Sequence, residues 1–311
     1  MAILKKSTIL KESDWKRVDD YFKQNPNLTA FASYPTMEMY LNSAIKAVHL
    51  TDTADGLRFI SKSKGAVRDI RILYDKKPHD GELAEQLIEE EQPHHIGFEH
   101  ISNPRASAWE DLLPIPELVQ NLGDIVQMKG NLFKNVRREY NNAQKKYSGL
   151  DLVSEANSVK HSGAMRDFFT EWVKNKNEEN VRRGMPPAYD GIFDFEFIDE
   201  LLGKKGIWGT MIFDKERLAA VEFTTYCPSD EKFCFGFMKK NLQQYPGLGT
   251  YLKVEAAKKY IEKGFEKNNT GPWFTEEGHL YKKKFQGHEP YLYFYNETYY
   301  TPCDLAWTRS F

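Results

Sequence analysis

The hexapeptide Gln244-Tyr245-Pro246-Gly247-Leu248-Gly249 lies between a strand pattern and a helix pattern. Residues 233–238 before it are aromatic and β-prone. Residues 250–264 after it carry apolar side chains at a helical spacing, namely Tyr251, Val254, Ala257 and Ile261, and end in the helix stop signal Gly264. The fold prediction starts from this order of strand, glycine turn and helix.

The hexapeptide predicts a phosphate-binding turn. The backbone N–H groups of Leu248, Gly249 and Thr250 would converge at the start of the helix, where the positive end of the helix dipole attracts anions. Gly247 and Gly249 lack a Cβ and would let a pyrophosphate approach closely, and Gln244 could add a side-chain amide. The alternative is an ordinary Pro-Gly turn that opens a surface helix.

The composition limits the class of protein. The chain has 311 residues, of which 28% are charged, and a formal net charge of −2. This length suggests two domains, and the charge implies no global attraction to nucleic acid or membrane. The sequence contains no long apolar run and no secretory apolar core, which predicts a soluble, cytoplasmic protein. Three cysteines and eight scattered histidines lack metal-ligand spacing, so we expect no metal site.

The predicted elements follow a similar order in the two halves of the chain. The first half reads as a helix, three strands, a helix and a strand, at residues 14–24, 47–51, 56–63, 67–74, 80–91 and 95–101. The second half reads as a strand, two helices, three strands, the glycine turn with its helix, and a last strand at 272–275. This mixture predicts an α+β (mixed α/β) architecture of mainly antiparallel sheets flanked by helices.

The glycine turn and two further segments resemble a known superfamily. The turn is similar to the Gln/Arg-x-x-Gly-x-Gly/Ala loop with which GNAT acyltransferases hold the pyrophosphate of acyl-coenzyme A. Residues 280–287, Leu-Tyr-Lys-Lys-Lys-Phe-Gln-Gly, resemble both the Leu-Tyr-x-x-x-Gly-Phe end of GNAT domains and the Lys-x-x-Phe-Gly end of Fem proteins. Residues 131–142 resemble the basic helix that links the two halves of Fem-type aminoacyltransferases and of the catalytic region of lysyl-phosphatidylglycerol synthases.

The resemblance implies a tandem arrangement of GNAT-like domains. Residues 1–125 would form a degenerate N-terminal domain without a glycine loop, residues 126–149 a basic linker helix, and residues 150–311 the catalytic domain. We expect each domain to contain a mixed, mainly antiparallel sheet flanked by helices.

Acyl transfer to an amine needs a base for the nucleophile and an acid for the leaving group. The resemblance implies that Tyr281 is the acid, and a phenol keeps its proton at neutral pH. Glu222, a carboxylate in an apolar strand, is our first candidate for the base, because burial would raise its pKa. The alternatives for the base are Glu276, Glu277 and His279.

Other residues are candidates for ligand contacts. Phe237 and Met238 would flank the pantetheine arm of acyl-coenzyme A, and Asn269 or its neighbour Asn268 would bond to it, although both asparagines precede the predicted last strand. The resemblance places the amine acceptor at a loop after the first helix of the second domain. We expect acceptor contacts there from three residues: Arg183, Tyr189 and Asp190.

The basic segment suggests a further partner. Lys134, Arg137 and Arg138 would share roughly one helical face, which could bind the phosphates of tRNA or of an anionic headgroup. The alternative is a solvated linker helix.

Three functions are compatible with these patterns. The first is an N-acyltransferase that uses acetyl- or another acyl-coenzyme A, which the intact glycine turn favours. The second is an aminoacyl-tRNA-dependent transferase of the Fem or lysyl-phosphatidylglycerol synthase type, which the tandem order and the basic linker favour. The third is a catalytically silent binding module of GNAT shape. Because Fem-like proteins generally lack an intact glycine loop, the sequence favours the first.

Overall fold

The computed structural model describes the chain in ranges separated by gaps. These ranges are 8–9, 12–24, 47–53, 56–63, 66–74, 95–100, 114–156, 159–184, 206–272, 276–285, 288–294 and 298–300. The predicted helix at 80–91 lies outside them, as does the second of the two helices predicted in the second half of the chain, at about 193–202.

The first sheet is built mainly from the N-terminal part of the chain. Its strands are β1 Thr8–Ile9, β2 Ala47–Thr53, β3 Gly56–Ser63, β4 Ala66–Tyr74, β5 His95–His100 and, from the far C-terminal part, β13 Thr298–Tyr300. Their order is β1-β2-β3-β4-β5-β13. β2, β3 and β4 form the predicted antiparallel meander, and β5 joins β4 in parallel. Helix α1 spans Glu12–Gln24.

The second sheet has seven strands. They are β6 Pro114–Asn121, β7 Asp151–Ala156, β8 Ile207–Asp214, β9 Arg217–Cys227, β10 Asp230–Asn241, β11 Lys267–Pro272 and β12 His288–Phe294. Their order is β12-β6-β11-β10-β9-β8-β7, and every neighbouring pair is antiparallel except β10 with β11. This mixed sheet matches the predicted α+β class.

Two strands depart from the predicted division of the chain. β6 lies within residues 1–125, which we assigned to the first domain, yet it pairs with β11 and β12 of the second sheet. β13 lies within residues 150–311, yet it pairs with β5 of the first sheet. Each sheet therefore takes a strand from the other part of the chain. The predicted boundaries at 125 and 150 follow the order of segments along the sequence, and the pairing of the strands crosses them.

Five described helices accompany the second sheet. They are α2 Leu122–Gln127, α3 Lys134–Lys146, α4 Ser162–Arg182, α5 Leu248–Glu262 and α6 Glu276–Lys283. α3 lies within residues 126–149, the segment predicted to be a basic linker helix. The predicted helix after the glycine turn is α5: it begins behind Gly247, whose φ of 84° suits glycine, and Gly264, with φ of 93°, follows its end.

The helices α4 and α5 cover opposite faces of the second sheet. Phe168 and Phe169 of α4 pack on Val221 and Phe223 of β9. Leu248 and Leu252 of α5 pack instead against Ala220. Because alternate residues of a strand point to opposite faces, the sheet is buried between the two helices. The strands β8 and β9 are accordingly almost wholly buried.

The strands β10 and β11 separate to form a fork. They pair only over Phe233–Phe235 and Lys267–Asn269, and β10 then continues along β9 as far as Asn241. Beyond the third pair, described backbone bonds hold β11 to β6 and β10 to β9. The fork opens a space between two strands at the centre of the sheet.

The position of β11 corrects one prediction. We expected a strand at 272–275 with Asn268 and Asn269 before it, but both asparagines lie inside β11. Their side chains accept hydrogen bonds from backbone N–H groups: Asn268 Oδ1 from Gly236 at 2.9 Å, and Asn269 Oδ1 from Gly271 at 2.8 Å. Asparagine is rare in strands, so the pattern placed the strand too late.

The tight packing at Gly249 gives a stability prediction. A Cβ at this position would lie 2.7 Å from Asn241 Oδ1 and 3.6 Å from the Tyr281 hydroxyl. We expect Gly249→Ala to lower the free energy of unfolding in urea by about 1–3 kcal/mol, as overpacking does. The control is Gly163→Ala in α4, where nothing lies within 4 Å of the added Cβ; it should gain about 0.4–1 kcal/mol. A Gly249→Ala protein as stable as the parent would contradict this packing.

Candidate active site

A cavity of about 320 Å³ lies at the fork. Residues from four strands and two helices line it: Gln120, Glu222, Gly236, Met238, Lys239, Asn241, Lys253, Thr270, Tyr281, Lys282 and Phe285. Two residues predicted to be catalytic, Glu222 and Tyr281, therefore share one cavity. It is unusually rich in charged side chains for a space inside a sheet.

Glu222 forms a buried ion pair. It lies on β9 directly across from Lys239 of β10, and Lys253 of α5 donates to Glu222 Oε1 at 2.9 Å. The side chains of Lys253 and Glu222 are only 4% and 2% exposed. The expected general base thus has a cationic partner that the sequence pattern did not indicate, and the two charges neutralise each other in the low-dielectric interior.

Lys239 has the most perturbed amine of the cavity. Burial lowers its pKa well below the usual value, and the nearby cations Lys253 and Lys284 lower it further, although Glu222 opposes them. Its amine contacts the hydroxyl of Tyr281 and lies 4.2 Å from the centre of that ring. A lysine with a lowered pKa is an amine that can accept a proton near neutral pH.

Tyr281 connects this amine to the glycine turn. Its hydroxyl donates to the carbonyl oxygen of Gly249 at 3.0 Å. The aromatic ring also packs on Phe285, with a separation of 5.5 Å between ring centres. Tyr281 is therefore fixed at the N-terminal end of α5, with its hydroxyl against Lys239. From this position it can exchange a proton with that amine.

The glycine turn already has internal partners. Gln244 Nε2 donates to Glu171 of α4 at 2.9 Å, which directs this amide towards α4. Thr250 Oγ1 donates to Glu139 of α3 at 2.7 Å, and Lys284 Nζ donates to the same carboxylate at 2.7 Å. Although burial of Glu139 opposes it, the hydrogen bonds from Lys284 and Thr250 lower the pKa of this carboxyl.

Helix α3 also packs beside the glycine turn. A Cβ on Gly247 would lie 3.7 Å from Ala143 Cβ, while Gly249 is buried against Asn241 and Tyr281. The N–H groups of Leu248, Thr250 and Tyr251 donate to the carbonyl oxygens of Tyr245 and Gly247 within the turn. The missing Cβ of Gly249 therefore serves close packing within the protein, whereas Gly247 allows the positive φ before α5, and a carboxylate from α3 lies beside the start of that helix.

The remaining predicted ligand contacts have different outcomes. Met238 lines the cavity, whereas the side chain of Phe237 lies outside the described part of the structure. Arg183 follows the end of α4 and pairs with Glu179 at 2.6 Å. Tyr189 and Asp190, and the side chains of Glu276, Glu277 and His279, also lie outside the described residues. Their predicted roles remain predictions.

The basic residues of α3 have different environments. Lys134 and Arg138 are exposed, as are Lys145 and Lys146 further along the helix. Arg137 instead donates to the carbonyl oxygens of Met128 and Gly130 and so fixes the segment before α3. The exposed basic face is therefore formed by four side chains, without Arg137.

Three cavity lysines escaped the sequence analysis: Lys239, Lys253 and Lys282. Two features of the sequence could have indicated the first two. Lys239 and Lys240 are adjacent in a strand, so one of them must point to each face of the sheet. Lys253 stands among the apolar positions of α5, where it is 3% exposed. A lysine on the buried face of an amphipathic helix requires a partner, and that partner is Glu222.

The described residues also bear on membrane insertion and metal binding. None of the helices there is both long and apolar enough to cross a bilayer. No group of three or more His, Cys, Asp or Glu side chains that could hold a metal ion occurs in those ranges.

The buried ion pair gives a second stability prediction. Lys253→Met should leave Glu222 buried and unpaired, which we expect to lower the free energy of unfolding by about 3–5 kcal/mol. The double variant Glu222→Gln/Lys253→Met removes both charges and should lose much less. Urea unfolding of the two variants and the parent checks this. Equal losses of unfolding free energy in the single and double variants would show that Lys253 does not stabilise the protein through its pair with Glu222.

Comparisons with known proteins were made at the level of sequence and of structure. No protein-family model matches the chain, and no curated protein matches it significantly. Solved structures do match. A conserved protein of unknown function from Bacteroides thetaiotaomicron VPI-5482 has a TM-score of 0.67 and 14% identity, over 94% of this chain and all 100% of that one.

Two further structures connect the fold to the predicted superfamily. L-PGS from Bacillus licheniformis has a TM-score of 0.57 and 13% identity, over 97% of this chain and 96% of that one. A tandem GNAT protein from the clavulanic acid biosynthesis pathway has a TM-score of 0.52 and 11% identity, over 95% and 98% of the two chains. FemX has the same fold at 8% identity and a TM-score of 0.55. Such identities establish the fold alone: the chain has the tandem GNAT-like α+β fold predicted from its sequence.

Proposed function

We propose that this protein is an acyltransferase that transfers an acyl group to an amine in the cavity at the fork of β10 and β11. The observation that carries the proposal is the contact of Lys239, an amine with a strongly lowered pKa, with the hydroxyl of Tyr281. Together these two groups can supply the base and the acid that aminolysis of an activated acyl group needs.

The proposed reaction is a direct attack. The acceptor amine attacks the carbonyl carbon of the donor while Lys239 takes the proton that the nitrogen loses. As the bond to the leaving group breaks, Tyr281 gives its proton to the leaving atom. The ammonium of Lys239 then returns a proton to Tyr281, so that both side chains regain their starting state.

The donor we propose is an aminoacyl-tRNA, the second of the three functions that the sequence left open. Gln244 and Thr250, which were expected to hold a pyrophosphate, bond to Glu171 and Glu139. A diphosphate of coenzyme A at this turn would have to displace the two carboxylates that already accept from these groups. The structural similarity to L-PGS and FemX supports the same donor class.

The exposed basic face of α3 supports a tRNA partner. Lys134, Arg138, Lys145 and Lys146 project from one helix that packs on α5, next to the glycine turn. Each phosphate that such a face neutralises would make binding fall with rising salt. The acceptor loop, with Arg183, Tyr189 and Asp190, keeps its proposed role.

Acyl-coenzyme A remains the second candidate donor, because one observation favours it. The strand fork and the following glycine turn have the order that the GNAT resemblance implied, and Gly247 has the positive φ of such a turn. If acyl-coenzyme A binds here, Glu139 must move away from Thr250.

Donor binding distinguishes the two candidates. We expect aminoacyl-tRNA to raise the melting temperature of the protein and to bind more weakly as salt increases, while acetyl-coenzyme A has no effect. Glu139→Ala frees Thr250 but leaves Gln244 bonded to Glu171, so it should not create strong binding of acetyl-coenzyme A. Gln144→Ala, an exposed position on the same helix, is the matched control. A clear stabilisation of the parent by acetyl-coenzyme A, or failure of charged tRNA to bind, would reject the tRNA donor.

The role of Lys239 is tested by Lys239→Met. Since the folded protein holds this pKa below its unfolded value, the amine costs stability at neutral pH, and that cost disappears as pH rises towards about 10.4. We expect Lys239→Met to raise the melting temperature at pH 7 by about 2 °C or more, with a difference that shrinks at higher pH. Turnover should fall about 10²- to 10⁴-fold.

Lys240→Met is the matched control, because Lys240 lies over the ring of Trp172 and not in the cavity lining. Its turnover should remain close to that of the parent. A Lys239→Met protein that keeps full turnover would remove this amine from the mechanism.

A further inference from the structure

The amines of two lysines lie over the same two aromatic rings of the cavity lining. Lys239 Nζ is 4.2 Å from the centre of the Tyr281 ring and 5.6 Å from that of Phe285. Lys284 Nζ is 4.8 Å from the first centre and 5.4 Å from the second. One ammonium at such a distance is attracted by a ring face, whereas two ammonium ions around the same rings repel each other. The arrangement therefore favours one charged amine and one neutral amine.

Lys284 has the partners that keep an amine charged. Its Nζ donates to Glu139 Oε2 at 2.7 Å and to Thr250 Oγ1 at 2.9 Å, and its side chain is 28% exposed. Thr250 in turn donates to the same carboxylate oxygen at 2.7 Å. An adjacent carboxylate and contact with water both stabilise an ammonium ion. The positive charge over the two rings therefore belongs to Lys284.

Lys239 has the surroundings of a neutral amine. The charged groups in or beside its cavity are Glu222 of β9, Lys253 of α5, Lys282 of α6 and Lys284 just after α6. Burial lowers the pKa of Lys239 most; Glu222 raises it, while Lys253 and Lys284 lower it further. Lys253 pairs with Glu222 inside the cavity, and Lys282 donates to backbone carbonyl oxygens of β11. Of these cations, Lys284 is the one that shares the two rings with Lys239.

Helix α3 fixes the ammonium of Lys284. The carboxylate of Glu139, on α3, accepts from both Lys284 and Thr250. Although burial of Glu139 opposes it, these two hydrogen bonds lower the pKa of the carboxyl and keep it ionised. The preceding residue, Arg138, belongs to the exposed basic face of the same helix. α3 therefore connects that face with the cation beside the proposed reacting pair.

We propose that Lys284 is a positioning residue of the candidate active site. Its ammonium, held by Glu139 and Thr250, fixes the Tyr281 ring and disfavours a second positive charge at Lys239. The amine beside the Tyr281 hydroxyl is then free to accept a proton, and Lys284 acts only through these two groups. This inference rests on the proposed function, because it assigns to Lys284 the electrostatic control of the proposed base.

The pH dependence of the stability cost of Lys239 measures this control without any substrate. The folded protein holds the pKa of this amine below its unfolded value of about 10.4, so the gain in melting temperature from Lys239→Met should grow as pH falls from about 10. The gain stops growing once pH is below the pKa of Lys239 in the folded protein, since the amine is then charged in both states. The pH at which this plateau begins therefore reports the folded pKa.

Removal of the Lys284 charge should move the plateau. In a Lys284→Met background Lys239 takes up a proton more easily, so we expect the gain from Lys239→Met to level off at a pH higher by about 0.5 or more, and at a smaller value. Lys284→Arg keeps a positive charge over the rings and should retain the plateau of the parent. Lys283→Met, which removes the exposed neighbouring lysine, is the matched control and should retain it as well. Each background is unfolded thermally with and without Lys239→Met at a series of pH values.

Three results would overturn the inference. If Lys239→Met gives no gain at any pH, the folded protein does not disfavour the charge of this amine. If the plateau of Lys284→Met coincides with that of the parent, Lys284 does not control that charge. If Lys284→Arg moves the plateau as far as Lys284→Met does, the shape of the side chain matters and its charge does not. A general loss of stability lowers the melting temperature with and without Lys239→Met alike, and leaves the plateau in place.

The proposed function fails by a different result. Full turnover of Lys239→Met would reject this amine as the base, while a shifted plateau in Lys284→Met would still show that Lys284 controls its charge.

Discussion

The fork between β10 and β11 is the constraint on which the candidate site depends. Three residue pairs join these strands, and their described pairing stops there. Beyond it, described backbone–backbone bonds join β10 to β9 and β11 to β6, so side chains and helices must close the space between them. α5 supplies Lys253, α6 supplies Tyr281 and Lys282, and Phe285 follows the end of α6. The parallel contact is short because Asn268, inside β11, bonds to the backbone of β10 instead of presenting an apolar side chain.

The cavity keeps charged groups that a purely structural core would avoid. Burying an ion pair is at best weakly favourable compared with apolar packing, yet Glu222 and Lys253 are almost completely buried. Lys239 adds an amine whose ordinary charged form the site disfavours. Such groups concentrate at functional sites, since the environment that makes them costly also adjusts their proton affinity. The third hypothesis from the sequence, a silent binding module, gives no reason for this amine to contact Tyr281.

Periodicity predicted the elements of this fold better than it predicted their partners. The helix after Gly247, its end before Gly264 and the strand Gly56–Ser63 all follow from patterns that a few neighbouring residues carry. The pairing of β6 with β11 joins residues some 150 positions apart, and no local pattern encodes it. The same holds for the site. Glu222 and Tyr281 were recognisable as polar groups in informative places, but the environment of Lys239 depends on four other segments of the chain.

The glycine turn shows how one pattern can serve two purposes. Small residues at the start of a helix allow another group to come close to the backbone, and the sequence does not identify that group. In this protein the approaching group is helix α3, with Ala143 beside Gly247 and Glu139 beside Thr250. The prediction of the turn's position was correct, whereas its predicted pyrophosphate ligand is untested.

The exchange of strands between the two sheets has a consequence for folding. β6 is synthesised about 150 residues before β11 and about 170–180 residues before β12, the strands on either side of it, and β13 reaches β5 across an even longer interval. Contacts that close such long loops form slowly, and the exposed edges of β6 and β5 must wait for them. On the ribosome, the β12-β6 edge of the second sheet therefore cannot be completed until β12 has emerged, which makes this protein dependent on late assembly and vulnerable to edge-to-edge association before it.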